Sequence, residues 1–203
     1  MNNGYYQSNK PEVVGPKVAE VIAADLGLAN VPFEIELTDA PKLGAGGLFR
    51  EAVSNIFGGT QTLLFTVCFD LKQPRPMTVH VRVDRYGVGS NLASALFSTT
   101  LSKPITTEAV LEDPKTFGSS KFTGDPAAIA KLNANKDLIK RAGKFARTEW
   151  LKISAPRMFK IAPQDGAAVL LAATLPRSYA MGFKVTYDVA EFAELAALVE
   201  ATM

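Results

Sequence analysis

The chain has 203 residues, 47% of them apolar and 21% charged, and a formal net charge of +2. That is the balance of a folded protein about one domain in size, with no room for extended disorder beyond the ends. A single cysteine excludes an intrachain disulfide and fits a reducing compartment, and a single histidine excludes a metal site built from histidines alone.

Residues 1–10 are polar, lack the apolar stretch of a signal peptide and read as a loose tail. No run of about 18 apolar residues occurs in the chain, so no transmembrane segment is expected. The expectation is a cytoplasmic protein whose single domain spans 11–203, with 102–121 as the place where it would subdivide. From Pro11 to Leu26, Val14, Val18, Val21, Ile22 and Leu26 recur at helical spacing, with Pro16 placed in the first turn and Gly27 as the stop. Phe33, Ile35 and Leu37 alternate with Glu34 and Glu36, which predicts a short half-buried strand. Gly44, Gly46 and Gly47 precede an apolar stripe over 48–57, and Gly58-Gly59 follows it, so a glycine-bracketed helix is predicted there.

The segment 62–86 reads as a β-hairpin. Leu63, Phe65, Val67, Phe69 and Leu71 alternate with Thr62, Thr66, Cys68 and Asp70, and after Gln73-Pro74-Arg75-Pro76 the alternation resumes with Met77, Val79, Val81 and Val83. Both apolar sets share a face only if paired residue numbers sum to an even value, because a one-residue slip inverts a strand. The simplest register sets Leu71 opposite Met77. It places Cys68 opposite His80, Thr66 opposite Arg82 and Asp70 opposite Thr78 on the polar face.

Residues 91–101 show no decisive period, and 102–121 read mostly as loop. Asp125-Pro126 opens a helix, Asp125 as acceptor for the free amides of the first turn and Pro126 where its missing N–H matters least. The stripe Ile129, Leu132, Ile139, Ala142, Phe145, Ala146 continues it, with a break expected at Asn133-Ala134-Asn135. Short strands are predicted over 158–162, 168–175 and 183–187, the first two joined by a tight turn at Gln164-Asp165-Gly166. Asp188 through Glu191 resembles an acidic capping box ahead of a final helix carrying Phe192, Leu195, Ala196 and Val199. Antiparallel hairpins with segregated helices define an α+β class: an antiparallel sheet packed by amphipathic helices, an N-terminal and a C-terminal one among them.

Charge is unevenly spread. Residues 131–160 carry a local net charge of +7, while 1–60 and 161–203 each sum to −3. Lys136, Lys140, Arg141, Lys144 and Arg147 form a candidate surface for an anionic partner, or simply the solvated face of the helix, with Phe145 and Trp150 nearby for stacking or insertion and Phe145 expected to point at the core instead. Nucleic acid and anionic lipid are such partners, and the chain's own acidic ends, or those of another copy, are an equal counter-charge.

Three further candidates carry chemistry. Cys68 and His80 could form a thiolate–imidazolium pair oriented by Asp70, although mid-strand nucleophiles lack the usual oxyanion donors. The Gly44, Gly46, Gly47 loop could cradle an anion, but Phe49 stands where a dinucleotide fingerprint needs glycine, and no Lys-Ser/Thr pair follows. Glu34 and Glu36 share a strand face that could hold a cation or simply face water. No cofactor and no metal is expected, and no nucleophile elbow or phosphate loop is complete. The reading therefore leans away from an enzyme, towards a binding or structural module that contacts a protein partner, another copy of itself or an anionic surface through 131–160. The alternative is a small-molecule-binding protein or enzyme with a pocket near the polar face of hairpin 62–86 and the glycine-bracketed helix over 48–57.

Overall fold

The computed structural model describes residues 5–6, 8–37, 63–85, 91–112, 120–146, 158–174, 177–179 and 184–203. The glycine-bracketed helix, Gly44, Gly46, Gly47, Arg147 and Trp150 lie outside the described residues. The elements follow in the order β1 (Tyr5–Tyr6), α1 (Pro11–Leu26), β2 (Glu34–Glu36), β3 (Leu63–Leu71), β4 (Met77–Arg85), β5 (Asn91–Leu101), β6 (Ala109–Glu112) and β7 (Lys121–Gly124). Then come α2 (Pro126–Ala134), α3 (Lys136–Phe145), β8 (Phe159–Gln164), β9 (Ala167–Thr174), β10 (Arg177–Tyr179), β11 (Lys184–Thr186) and α4 (Val189–Thr202). Eight strands lie side by side in the order β2-β3-β4-β5-β9-β8-β6-β7, each neighbouring pair antiparallel. β1 pairs with β5 at Asn91 and Leu92, so part of the stretch expected as tail is a strand. The β10–β11 pair stands apart as a two-stranded ribbon. This is an α+β fold, and among the described residues no helix is long and apolar enough to cross a membrane.

The hairpin register follows from alternation. Leu71 pairs with Met77, Phe69 with Val79, Val67 with Val81 and Phe65 with Val83, all on one face. The eight side chains of those pairs are buried. Leu63 departs from the expectation: an irregularity between Leu63 and Phe65 shifts it opposite Asp84, and it is only half-buried.

The same face continues through Phe97 of β5, Leu170 and Ala172 of β9, Phe159 and Ile161 of β8, and Leu111 and Phe122 of β6 and β7. Helix side chains seal it into one core. Phe97 meets Phe145 of α3 edge-on at 5.4 Å and Phe192 of α4 at 4.9 Å, and Val14, Val18 and Ile22 of α1 belong to the same buried cluster. Phe145 is thus a core residue and does not belong to the basic surface.

Local chemistry fixes the helix ends. Gly27 closes α1 at φ 67°, a left-handed conformation that glycine adopts without a Cβ penalty. Pro16 lies in the interior of α1, not in its first turn, because the helix starts at Pro11. Asp125 caps α2 by accepting from the amides of Ala127 and Ala128, and Asn135 separates α2 from α3 and caps the latter by accepting from Leu138. At α4 the expected box is replaced. Asp188 sits at φ 58° with no side-chain cap bond, and its amide and that of Tyr187 donate to the carboxylate of Asp25, which also accepts from the Thr186 hydroxyl. A capping group borrowed from α1 has no signature in the local sequence. Asp165 and Gly166, both at positive φ, make the two-residue turn between β8 and β9.

Candidate functional site

The opposite face of the sheet gathers most of the chemistry. Its register gives three rows across the strands: Glu34, Cys68, His80 and Leu96; Glu36, Thr66, Arg82 and Ser94; Asp70, Thr78, Ser98 and Leu171. The first and third rows end in Leu96 and Leu171, while the middle row is polar throughout. Thr66, His80, Asp84, Ser94, Leu96 and Leu171 are all buried, although the four described helices belong to the other side. This face is therefore no solvated surface at its centre.

Cys68 and His80 are cross-strand neighbours, with Sγ 3.3 Å from Nδ1. Their surroundings decide what the pair can do. Burial pushes the Cys68 thiol up to about 12, and the carboxylates of Glu36, Glu34 and Asp70 push the same way. Burial holds the His80 ring down to about 4, against the pull of Asp70. Both effects disfavour the charged forms. At neutral pH the pair is a thiol beside a neutral imidazole, the opposite of the thiolate–imidazolium couple that a nucleophile needs. Glu34 and Glu36 do stand together beside Cys68 and Thr66, but among the described residues no three His, Cys, Asp or Glu side chains converge as a metal set.

One row along, Arg82 binds Asp84 through its Nε, at 2.8 and 2.9 Å to the two carboxylate oxygens, and through Nη2 at 2.8 Å. Burial raises the Asp84 carboxyl while Arg82 draws it back. On either side of Arg82, the hydroxyls of Thr66 and Ser94, whose residues are 0% and 2% exposed, have no hydrogen-bond partner. Such groups are uncommon inside proteins. Period 2 already placed Arg82 and Asp84 on one face, so their pairing could have been read from the sequence; the burial of Thr66 and Ser94 could not.

The basic segment divides into two kinds of residue. Arg141 is held within the fold, bidentate to Glu191 of α4 at 2.9 and 3.0 Å and bound to Glu194 at 2.6 Å. Lys131 donates to the Met203 carbonyl and Lys160 pairs with Glu108 at 2.9 Å. Lys136, Lys140 and Lys144 are exposed, at successive steps of four along α3. The acidic C-terminal helix is thus part of the counter-charge for the basic middle.

Compared with protein-family models, curated proteins and solved structures, the chain matches none.

Proposed function

We propose that this protein acts by binding and not by catalysis, as an interaction module whose contact surface is the lysine stripe Lys136, Lys140 and Lys144 of α3, facing an acidic protein surface. The observation that carries this reading is the neutral state of the Cys68–His80 pair, the thiol and imidazole that the register brings together. The stripe supports it as an exposed run of like charge on α3, about 12 Å long at 1.5 Å per residue. Such a surface acts through long-range attraction and is weakened by salt.

The test is a Lys136→Glu/Lys140→Glu/Lys144→Glu variant, measured for retention by immobilised polyglutamate and for self-association in sedimentation at low and high salt. Salt-sensitive retention in the parent, lost in the variant at an unchanged melting temperature, is the expected outcome. Equal behaviour of variant and parent contradicts the reading.

A second reading, a small polar ligand on the Thr66–Arg82–Ser94 row, is favoured by the two buried hydroxyls without partners. A thermal-shift panel of small polar compounds, repeated on Thr66→Val, separates it from the first.

A further inference from the structure

Helix α4 begins without a cap of its own, and α1 supplies the missing group. The Asp25 carboxylate, in the last turn of α1, accepts the amides of Tyr187 and Asp188 on Oδ2 at 2.8 and 3.1 Å, and the Thr186 hydroxyl on Oδ1 at 2.5 Å. That hydroxyl also lies 3.1 Å from Oδ1 of Asp188 and receives the Asp188 N–H at 2.9 Å. Two carboxylate oxygens therefore compete for Thr186 Oγ1, and a hydroxyl has a single hydrogen to donate. With both carboxylates ionised, one of them is left against an oxygen lone pair. A proton on Asp25 Oδ1 removes the conflict without moving a heavy atom. Oδ1–H then donates to Thr186 Oγ1, the hydroxyl turns its own hydrogen to Asp188 Oδ1, and Asp25 Oδ2 keeps both amides.

We infer that Asp25, Thr186 and Asp188 form a proton-operated switch where α1 meets α4, Thr186 turning its hydrogen from Asp25 to Asp188 as Asp25 takes up a proton. The surroundings act in the same sense. Thr186 is buried, and burial raises the Asp25 carboxyl above its ordinary 3.8 while the charge of Asp188 pushes the same way, against the hydrogen bonds that Thr186 and the two amides donate. The other charged residues within four positions of these three are Lys184 of β11 and Glu191 of α4, and Glu191 is paired with Arg141 of α3. A folded value above the unfolded one makes the proton's stabilising contribution complete below 3.8 and lost as pH rises through the folded value. The α1–α4 junction is therefore tighter with the proton bound.

The experiment follows the Asp25 side-chain carboxyl by NMR titration in the full chain, in Asp188→Asn, and in both backgrounds again with Thr186→Val. In the parent the Asp25 midpoint is expected above 3.8. Asp188→Asn should lower it, since an Asn amide can donate to Oγ1 where the carboxylate had to accept. That lowering should shrink once Thr186→Val removes the hydroxyl, because the two carboxylates then no longer share a hydrogen. An Asp25 midpoint at or below 3.8, or one that Asp188→Asn leaves in place, overturns the switch. So does a lowering of equal size with and without the hydroxyl, which would mean plain repulsion between like charges. If Thr186→Val fails to fold, Thr186→Ala is read in its place with the same two outcomes. The conformational side is read by urea titration of Asp25→Asn, whose amide copies the protonated carboxyl. Its stability relative to the parent should grow as pH rises through the Asp25 midpoint, and a difference that stays constant or shrinks contradicts the link between proton and junction.

Discussion

The two faces of the sheet differ in what fills them, and the difference teaches how one alternating pattern serves two ends. On the helix-bearing face, Phe65, Val67, Phe69 and Phe97 belong to one cluster of buried apolar side chains. On the other face stand a half-buried thiol, a buried imidazole, an ion pair and two buried hydroxyls without partners. The first face supplies stability through area and close packing. The second carries groups whose desolvation opposes folding unless each is paired or kept neutral. Its state is accordingly legible in protonation: Cys68 and His80 stay uncharged, and Asp84 keeps its partner.

The largest effect that separates the faces is expected at Phe97. Truncation to Ala removes the ring that meets both Phe145 and Phe192, and should lower the unfolding free energy by about 3 to 5 kcal/mol in urea titration. A second test uses pH. The folded His80 value lies below the ordinary 6.5, so the stability that comes from keeping the ring neutral is present above that value and lost as pH falls through 6.5 towards about 4. Between pH 7 and 4.5, Asn in place of His80 should spare about 2 kcal/mol of the loss that the parent suffers. Parallel pH profiles for parent and His80→Asn would show that the ring is not neutralised by burial.

Smaller effects sharpen the contrast. Thr66→Val removes a buried hydroxyl without a partner and keeps the shape, so it should stabilise the protein by about 1 kcal/mol, a sign opposite to that of any truncation on the core face. A loss of stability instead would mean that something pairs with the hydroxyl. Within the basic segment, Arg141→Ala should cost about 1 kcal/mol because it frees Glu191 and Glu194, and neighbouring Lys140→Ala should stay within about 0.5 kcal/mol. Thermal unfolding of the two variants side by side measures this.

The hairpin was legible because its alternation runs from Phe65 to Leu71 and from Met77 to Val83, and an even-sum register leaves one arrangement with those apolar residues together. β5 was not, because Ala93 through Phe97 is buried on both faces and so carries no period for an alternation reading to find. β6 and β7 escaped notice for another reason. Each has four residues, set among Thr, Ser and Lys, and the device that finishes β7 is a side chain from the following helix. The break at Asn133-Ala134-Asn135 was visible, but its two asparagines do different work, one on a sheet edge and one as the cap of α3. For the candidate site, the proximity of Cys68 and His80 could be derived from register alone. Their protonation could not, because it depends on burial and on carboxylates that β2 brings from about thirty residues away.

The central claim, that the only thiol–imidazole pair is held neutral and serves no nucleophilic chemistry, is tested most directly by alkylating Cys68 in the folded protein across pH. The account predicts negligible reaction through pH 9, with reactivity rising only as pH approaches about 12 and full reaction once the chain is unfolded. An inflection below pH 7 in the native protein, abolished by His80→Asn, would show a thiolate–imidazolium couple and contradict it.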